Sequence, residues 1–112
     1  MSVEASCHCG SVRMALAVAP ETVTDCNCSI CRRYGVLWAY YEPGSVDFLA
    51  PTGPTDTYEW GDRMLTFHRC RTCGCITHWA DRDPSYDRMG VNARLLPLDV
   101  LSAAQVLHLD RV

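Results

Sequence analysis

The sequence predicts a mainly β protein built of short strands, and three observations carry that expectation. Short β-branched or aromatic runs recur along the chain, and clusters of Pro, Gly and Asp separate them at regular spacing. Only one segment reads as a helix. Such spacing fits a sandwich, a barrel or a folded sheet. With 112 residues, 48% of them hydrophobic, the chain is long enough for one core, and a second domain would have almost none. Residues 1–112 are therefore expected to form a single domain.

The elements follow in order. From Ser11 to Val18, alternation puts Val12, Met14 and Leu16 on one face of a strand. The run from Val36 to Tyr41 is uncharged and aromatic, as a strand covered on both faces must be, and Pro43-Gly44 ends it. Further strands are expected at Val46 to Leu49, Thr57 to Trp60, Met64 to His68, Ile76 to Trp79 and Met89 to Ala93. Between them lie turn clusters such as Pro51-Thr52-Gly53-Pro54 and Asp81-Arg82-Asp83-Pro84. The helix runs from Leu98 to Ala104, entered through Pro97 and Asp99.

Charge and composition exclude several function classes. Ten Lys and Arg stand against thirteen Asp and Glu, a net charge of -3, and no basic run exceeds Arg32-Arg33. A duplex-binding surface needs clustered cations to replace the counterions around phosphates, so no nucleic-acid partner is expected. The start of the chain lacks a positive region followed by an apolar one, and no window approaches the roughly 20 apolar residues of a membrane span. The expected setting is cytoplasmic, with no membrane partner. Disulfides do not persist in that reducing compartment, which leaves metal binding as the better account of eight cysteines.

The cysteines form three groups: Cys7-His8-Cys9-Gly10, Cys26-Asn27-Cys28-Ser29-Ile30-Cys31, and Cys70-Arg71-Thr72-Cys73-Gly74-Cys75. Two thiolates one or two residues apart on a turn can both reach one zinc ion at about 2.3 Å. Gly10 and Gly74 allow positive φ, so backbone N–H groups can turn toward the sulfurs. Two pairs close a tetrahedron, and Cys7, Cys9, Cys70 and Cys73 are the expected ligands of a first, structural zinc. Such an ion contributes on the order of 10 kcal/mol to folding. Cys26, Cys28 and Cys31 offer three thiolates and leave a tetrahedral ion one position short, as at a catalytic zinc. That fourth position is either open or closed by Cys75, His68, His78 or His8, with Cys75 foremost.

Other residue types carry both a functional and a bland reading. Arg32 and Arg33 directly follow the three-thiol group and could pair with carboxylates of a ligand, or simply balance thiolate charge. Trp38, Tyr40 and Tyr34 could wall a pocket there, or pack in the core. His68 titrates near neutrality and could carry a proton. Arg69 and Arg71 read as surface residues, and His8 as a spacer.

The order Cys-x-Cys-Gly, Cys-x-Cys-x-x-Cys-Arg, Phe-x-x-Cys-x-x-Cys-Gly and Val-Asn-Ala-Arg-Leu resembles the glutathione-dependent formaldehyde-activating enzyme and centromere protein V family. The matching residues are Cys7, Cys9, Gly10, Cys26, Cys28, Cys31, Arg32, Phe67, Cys70, Cys73, Gly74 and Val91 to Leu95, and the likeness spans about residues 4 to 109. The resemblance implies a β-tent, in which small antiparallel sheets lean together stapled by zinc. It also implies a structural ion on the first four cysteines and a functional ion on Cys26, Cys28 and Cys31. The implied activity is that of a carbon–sulfur lyase joining formaldehyde to a thiol such as glutathione, with Arg32 and Trp38 as substrate-binding candidates. The alternative is a zinc-stapled binding module without catalysis.

Overall fold

The computed structural model describes residues 2–110 except 62, 84 and 86. The described strands, in chain order, are β1 (Val3–Ser6), β2 (Arg13–Leu16), β3 (Thr22–Cys26), β4 (Trp38–Tyr41), β5 (Val46–Phe48), β6 (Thr55–Tyr58), β7 (Leu65–Cys70), β8 (Ile76–Asp81), β9 (Met89–Asn92) and β10 (Gln105–Leu109). Two helices accompany them, α1 (Ser29–Tyr34) and α2 (Leu98–Ala103). The strands make a three-stranded sheet, β1-β2-β5, and a seven-stranded sheet, β10-β3-β4-β9-β8-β7-β6. The fold is mainly β, as the spacing of the short strands predicts, and is consistent with a β-tent.

Side-chain parity explains how the sheets pack. On β2, Met14 and Leu16 alternate into the space between the sheets and are fully buried with Ala5 of β1 and Val46 of β5. From the larger sheet, Val23, Ala39, Met89 and Val91 meet them. Burying each such Leu, Met or Val contributes about 1.5–3 kcal/mol. The neighbouring positions turn the other way: Trp38, Phe67 and Trp79 lie beneath α1 with Cys26 and Cys31. The larger sheet is thus covered on both faces over the first half of β4, at Trp38 and Ala39, whereas Tyr40 is exposed. At Gly90 a side chain is forbidden by packing, since a Cβ there would run into the Trp79 indole of the adjacent strand.

Several elements go beyond the sequence expectation. β1, β3 and β10 are not among the strands expected from the sequence. Helix α1 has six residues, so it presents less than two turns of pattern. Its start is marked chemically instead: the Cys28 sulfur takes the N-cap role of a serine, accepting the Cys31 N–H at 3.5 Å, and Gly35 ends the helix in the left-handed conformation, φ 68°. The sheets are antiparallel except for β3 and β10, which pair in parallel. Helix α2 lies where expected. Pro84 of the anticipated turn falls outside the described residues. No helix among the described residues is long and apolar enough to cross a membrane.

Candidate metal centres

Two knuckles from distant parts of the chain meet in the first cysteine group. Cys7 follows β1 of the small sheet and Cys70 ends β7 of the large one. In the first knuckle the Cys7 N–H donates to the Val12 carbonyl at 3.0 Å, and the Val12 N–H returns to the Cys7 sulfur at 3.3 Å. In the second, the Gly74 N–H donates to the Cys70 carbonyl at 2.9 Å. Gly10 and Gly74 adopt φ of 82° and 80°, the left-handed conformation expected at both turns.

The sulfurs of Cys7, Cys9, Cys70 and Cys73 all lie within 4.8 Å of one another. Cys7 to Cys9 is 3.7 Å and Cys9 to Cys70 is 3.6 Å. A disulfide would need about 2.05 Å, whereas four sulfurs each 2.3 Å from a central ion sit about 3.8 Å apart. All eight cysteines are free. Soft donors at these separations fit a tetrahedral zinc ion. The electrostatics favour the thiolate at Cys70 and Cys73. At Cys73 burial opposes ionisation, but N–H groups of Cys75 and Cys9 and the neighbouring thiols outweigh it and hold the pKa at about 5. The Cys73 N–H and the Ser11 hydroxyl likewise lower Cys70, while burial raises Cys7.

The second group is local. Cys26 ends β3, Cys28 caps α1 and Cys31 lies one turn into it, with the three sulfurs within 4.8 Å of one another. Burial pushes the Cys31 thiol up to about 12, although the Trp38 indole N–H, 3.3 Å from its sulfur, opposes this. At Cys28 burial also raises the pKa, but the Cys31 N–H, the Cys31 and Cys26 side chains and the Ile30 N–H bring it below its ordinary value. Three clustered thiols with N–H donors on two of them again suit a thiophilic divalent ion.

None of the four candidates for closing this group reaches it. Among the described residues no fourth Cys, His, Asp or Glu lies within 4.8 Å of all three sulfurs. Cys75 belongs beside the first group, packed with Cys7, Val12, Cys70 and Cys73, with the His8 N–H directed to its sulfur. The reason is the turn after β7, where the Cys70 N–H bonds the Cys75 carbonyl at 2.9 Å and folds the chain back. His68 and His78 are opposite each other on β7 and β8, their rings stacked 4.2 Å apart. They alternate with Phe67 and Trp79 and so take the other face of the sheet, where His78 meets Phe48. Each histidine Nδ1 bonds a threonine, Thr55 at 3.0 Å and Thr77 at 2.8 Å.

The aromatic and basic candidates separate as well. Trp38 is only 2% exposed and lies under the three thiols, edge-on to Trp79. Tyr40 is exposed on the rim, also edge-on to Trp79. Arg32 is exposed on α1, its backbone N–H bonded to the Cys28 carbonyl. Tyr34 and Arg33, together with Tyr58, Trp60 and Arg69, line a groove of about 500 Å³ beside α1. Tyr58 and Trp60 entered the sequence reading only as part of a strand; their aromatic bulk among Thr55, Asp56, Thr57 and Glu59 was the available signal.

The glutathione-dependent formaldehyde-activating enzyme family matches residues 2–99 of the chain. The chain is also similar to a protein from Rhodobacter sphaeroides whose crystal structure is solved, with a TM-score of 0.73 and 28% identity over 93% of this chain and 99% of that one. No curated protein matches it. With nearly all of its length covered, and with both cysteine groups gathered in space, the chain belongs to the glutathione-dependent formaldehyde-activating enzyme family.

Proposed function

We propose that this chain, acting as one cytoplasmic zinc-binding domain, is a carbon–sulfur lyase of the type that reversibly joins a small aldehyde to a thiol such as glutathione. Family membership supports a glutathione-dependent, formaldehyde-activating type of function. Eight free thiols suit a reducing compartment. The observation that carries the reading is the contrast between four gathered sulfurs in one group and three in the other. Cys7, Cys9, Cys70 and Cys73 would hold a structural zinc, and Cys26, Cys28 and Cys31 a catalytic one. A zinc ion bound by three cysteines supplies Lewis acidity, which stabilises a substrate thiol as thiolate at neutral pH and polarises a carbonyl beside it.

The residues around the three thiols have defined tasks in this scheme. Trp38 donates its N–H to Cys31, fixes that sulfur's orientation, and keeps water from beneath the group. The Cys31 N–H does the same for Cys28. Arg32, exposed next to Cys31, offers charge to an anionic substrate and offsets the negative charge of three thiolates. Trp38 is therefore a positioning residue in this scheme, acting through the sulfur it holds and not by contact with the substrate.

The test is adduct formation from formaldehyde and glutathione, measured with zinc content for the wild type and for Cys28→Ser. Serine keeps the helix cap, so the fold should persist. The variant should lose one zinc equivalent and at least about 100-fold in rate, since even a partner behind a metal ligand typically accounts for 10–100-fold. Equal rates in the two proteins, or a wild-type rate no faster than buffer, would leave only the non-catalytic binding module.

A further inference from the structure

A second cavity, of about 390 Å³, opens on the face of the large sheet that bears His68 and His78, and no cysteine lines it. Phe48 of β5 and Met89 of β9 give it apolar walls, and His78 of β8 lies against it. Its size is that of a small-molecule pocket.

His78 is the buried group that the cysteine chemistry does not use. It is 7% exposed, with its ring centre 4.2 Å from that of His68 and 4.8 Å from that of Phe48. Its tautomer follows from its neighbour. Thr77 is fully buried, and its hydroxyl lies 3.3 Å from the His68 carbonyl oxygen and 2.8 Å from His78 Nδ1. A hydroxyl has one hydrogen and a carbonyl can only accept, so that hydrogen goes to His68 and the His78 Nδ1–H donates to the threonine oxygen. Burial keeps the ring neutral, which leaves Nε2 as a bare lone pair. Among the described residues this nitrogen has no hydrogen-bond partner. A buried acceptor left so calls for an N–H or O–H from a bound molecule.

The rest of the wall selects the charge of that donor. Asp81 and Asp87 line the same cavity, and among the described residues neither has a cationic partner within 4.0 Å. Arg88, also in the wall, has its guanidinium over the Trp79 ring, 5.7 Å from the centroid. Three acceptors thus share the cavity with a cation that is already engaged, which favours a positively charged donor. His78, Asp81 and Asp87 do not bring donor atoms within 4.8 Å of one another, so the cation is not a metal ion.

We propose that this cavity binds a small primary amine with a compact apolar body, its ammonium donating to His78 Nε2, Asp81 and Asp87 supplying the counter-charge, and its body resting on Phe48 and Met89. The site is separate from both cysteine groups and stands independently of the thiol-processing reading.

The test is calorimetric titration of the zinc-loaded protein with benzylamine, an ammonium on a compact apolar ring. His78→Leu keeps a side chain in the space and leaves the Thr77 hydroxyl its carbonyl partner. Affinity in that variant should fall at least about tenfold, the loss expected for a hydrogen bond to a charged group. Asp87→Asn, at an exposed position, should cost about two- to fivefold. Benzoate, with the opposite charge on the same ring, should bind at least about tenfold more weakly than benzylamine. Long-range proton–nitrogen NMR of the wild type should show His78 protonated at Nδ1 and its Nε2 resonance moved by benzylamine; this readout decides if the leucine variant does not fold. The visible spectrum of cobalt-substituted protein should not change when the amine is added. Absence of binding to the wild type, undiminished affinity in a folded His78→Leu, benzoate bound as tightly, an unmoved Nε2 resonance, or an amine-dependent cobalt spectrum would each overturn the proposal.

Discussion

The two cysteine groups differ in how far the chain must travel to assemble them. Cys9 and Cys70 are 61 residues apart in sequence, yet their sulfurs are 3.6 Å apart. Cys26, Cys28 and Cys31 come from a single six-residue stretch around the start of a short helix. An ion on the first group would bridge the small sheet, through Cys7 after β1, to the large sheet at the end of β7. Its binding free energy is therefore folding free energy. An ion on the second group ties together residues that the backbone already holds close. It adds less to the fold, and its three-sulfur set leaves room for chemistry.

Breaking the long-range group should have the largest effect. Cys70→Ser removes a buried ligand from the junction between the sheets, and the loss of about 10 kcal/mol is comparable with the whole stability of a small domain. The expected result is a protein unfolded at 25 °C, or melting tens of degrees lower, with one zinc equivalent missing; circular dichroism with metal analysis decides. An unchanged melt would show that the sheets need no staple.

A second prediction concerns what supports the local group. Gly90→Ala should push Trp79 away from Trp38, the floor beneath Cys31, at a cost of about 1–3 kcal/mol read from urea denaturation. Trp38→Phe should cost about 1 kcal/mol of stability through the lost N–H to Cys31. Because that N–H orients a sulfur, competition with a chelator should also find zinc held 10–100-fold more weakly at one site and unchanged at the other. Equal weakening at both sites would erase the distinction between them.

Acid offers the finest test, because protonation of thiolates is not the only acid-sensitive event. Burial first, and then the neighbouring His68, hold the His78 pKa at about 3, below its ordinary 6.5. Between those values the unfolded chain binds a proton that the folded chain refuses, so the stability that His78 supports above pH 6.5 is lost as pH falls toward 3. His78→Gln should flatten that part of the curve, measured as denaturation midpoint against pH, and leave the portion due to loss of metal. A variant curve parallel to the wild type would assign acid sensitivity to the cysteine groups alone.

Much of this was legible before the structure. The gathering of Cys7, Cys9, Cys70 and Cys73 followed from two knuckles with a glycine after each, and the inner strand followed from the uncharged run ending at Tyr41. Helix α1 was hidden, because six residues hold too little periodicity and its cap is a cysteine. The groove was hidden too, since Tyr58, Trp60 and Arg69 belong to the β6–β7 region while Arg33 belongs to α1.

Sequence alone determined which cysteines are neighbours along the chain, which residues alternate along each strand, and the family to which the pattern belongs. Those are properties of covalent spacing and side-chain period. Only the tertiary structure decided that Cys75 turns back to the first group, that His68 and His78 take the far face of the sheet, and that Arg33 and Arg69 line one groove. Each of these depends on which side of a strand meets which neighbour, and that is settled by packing between segments far apart in sequence.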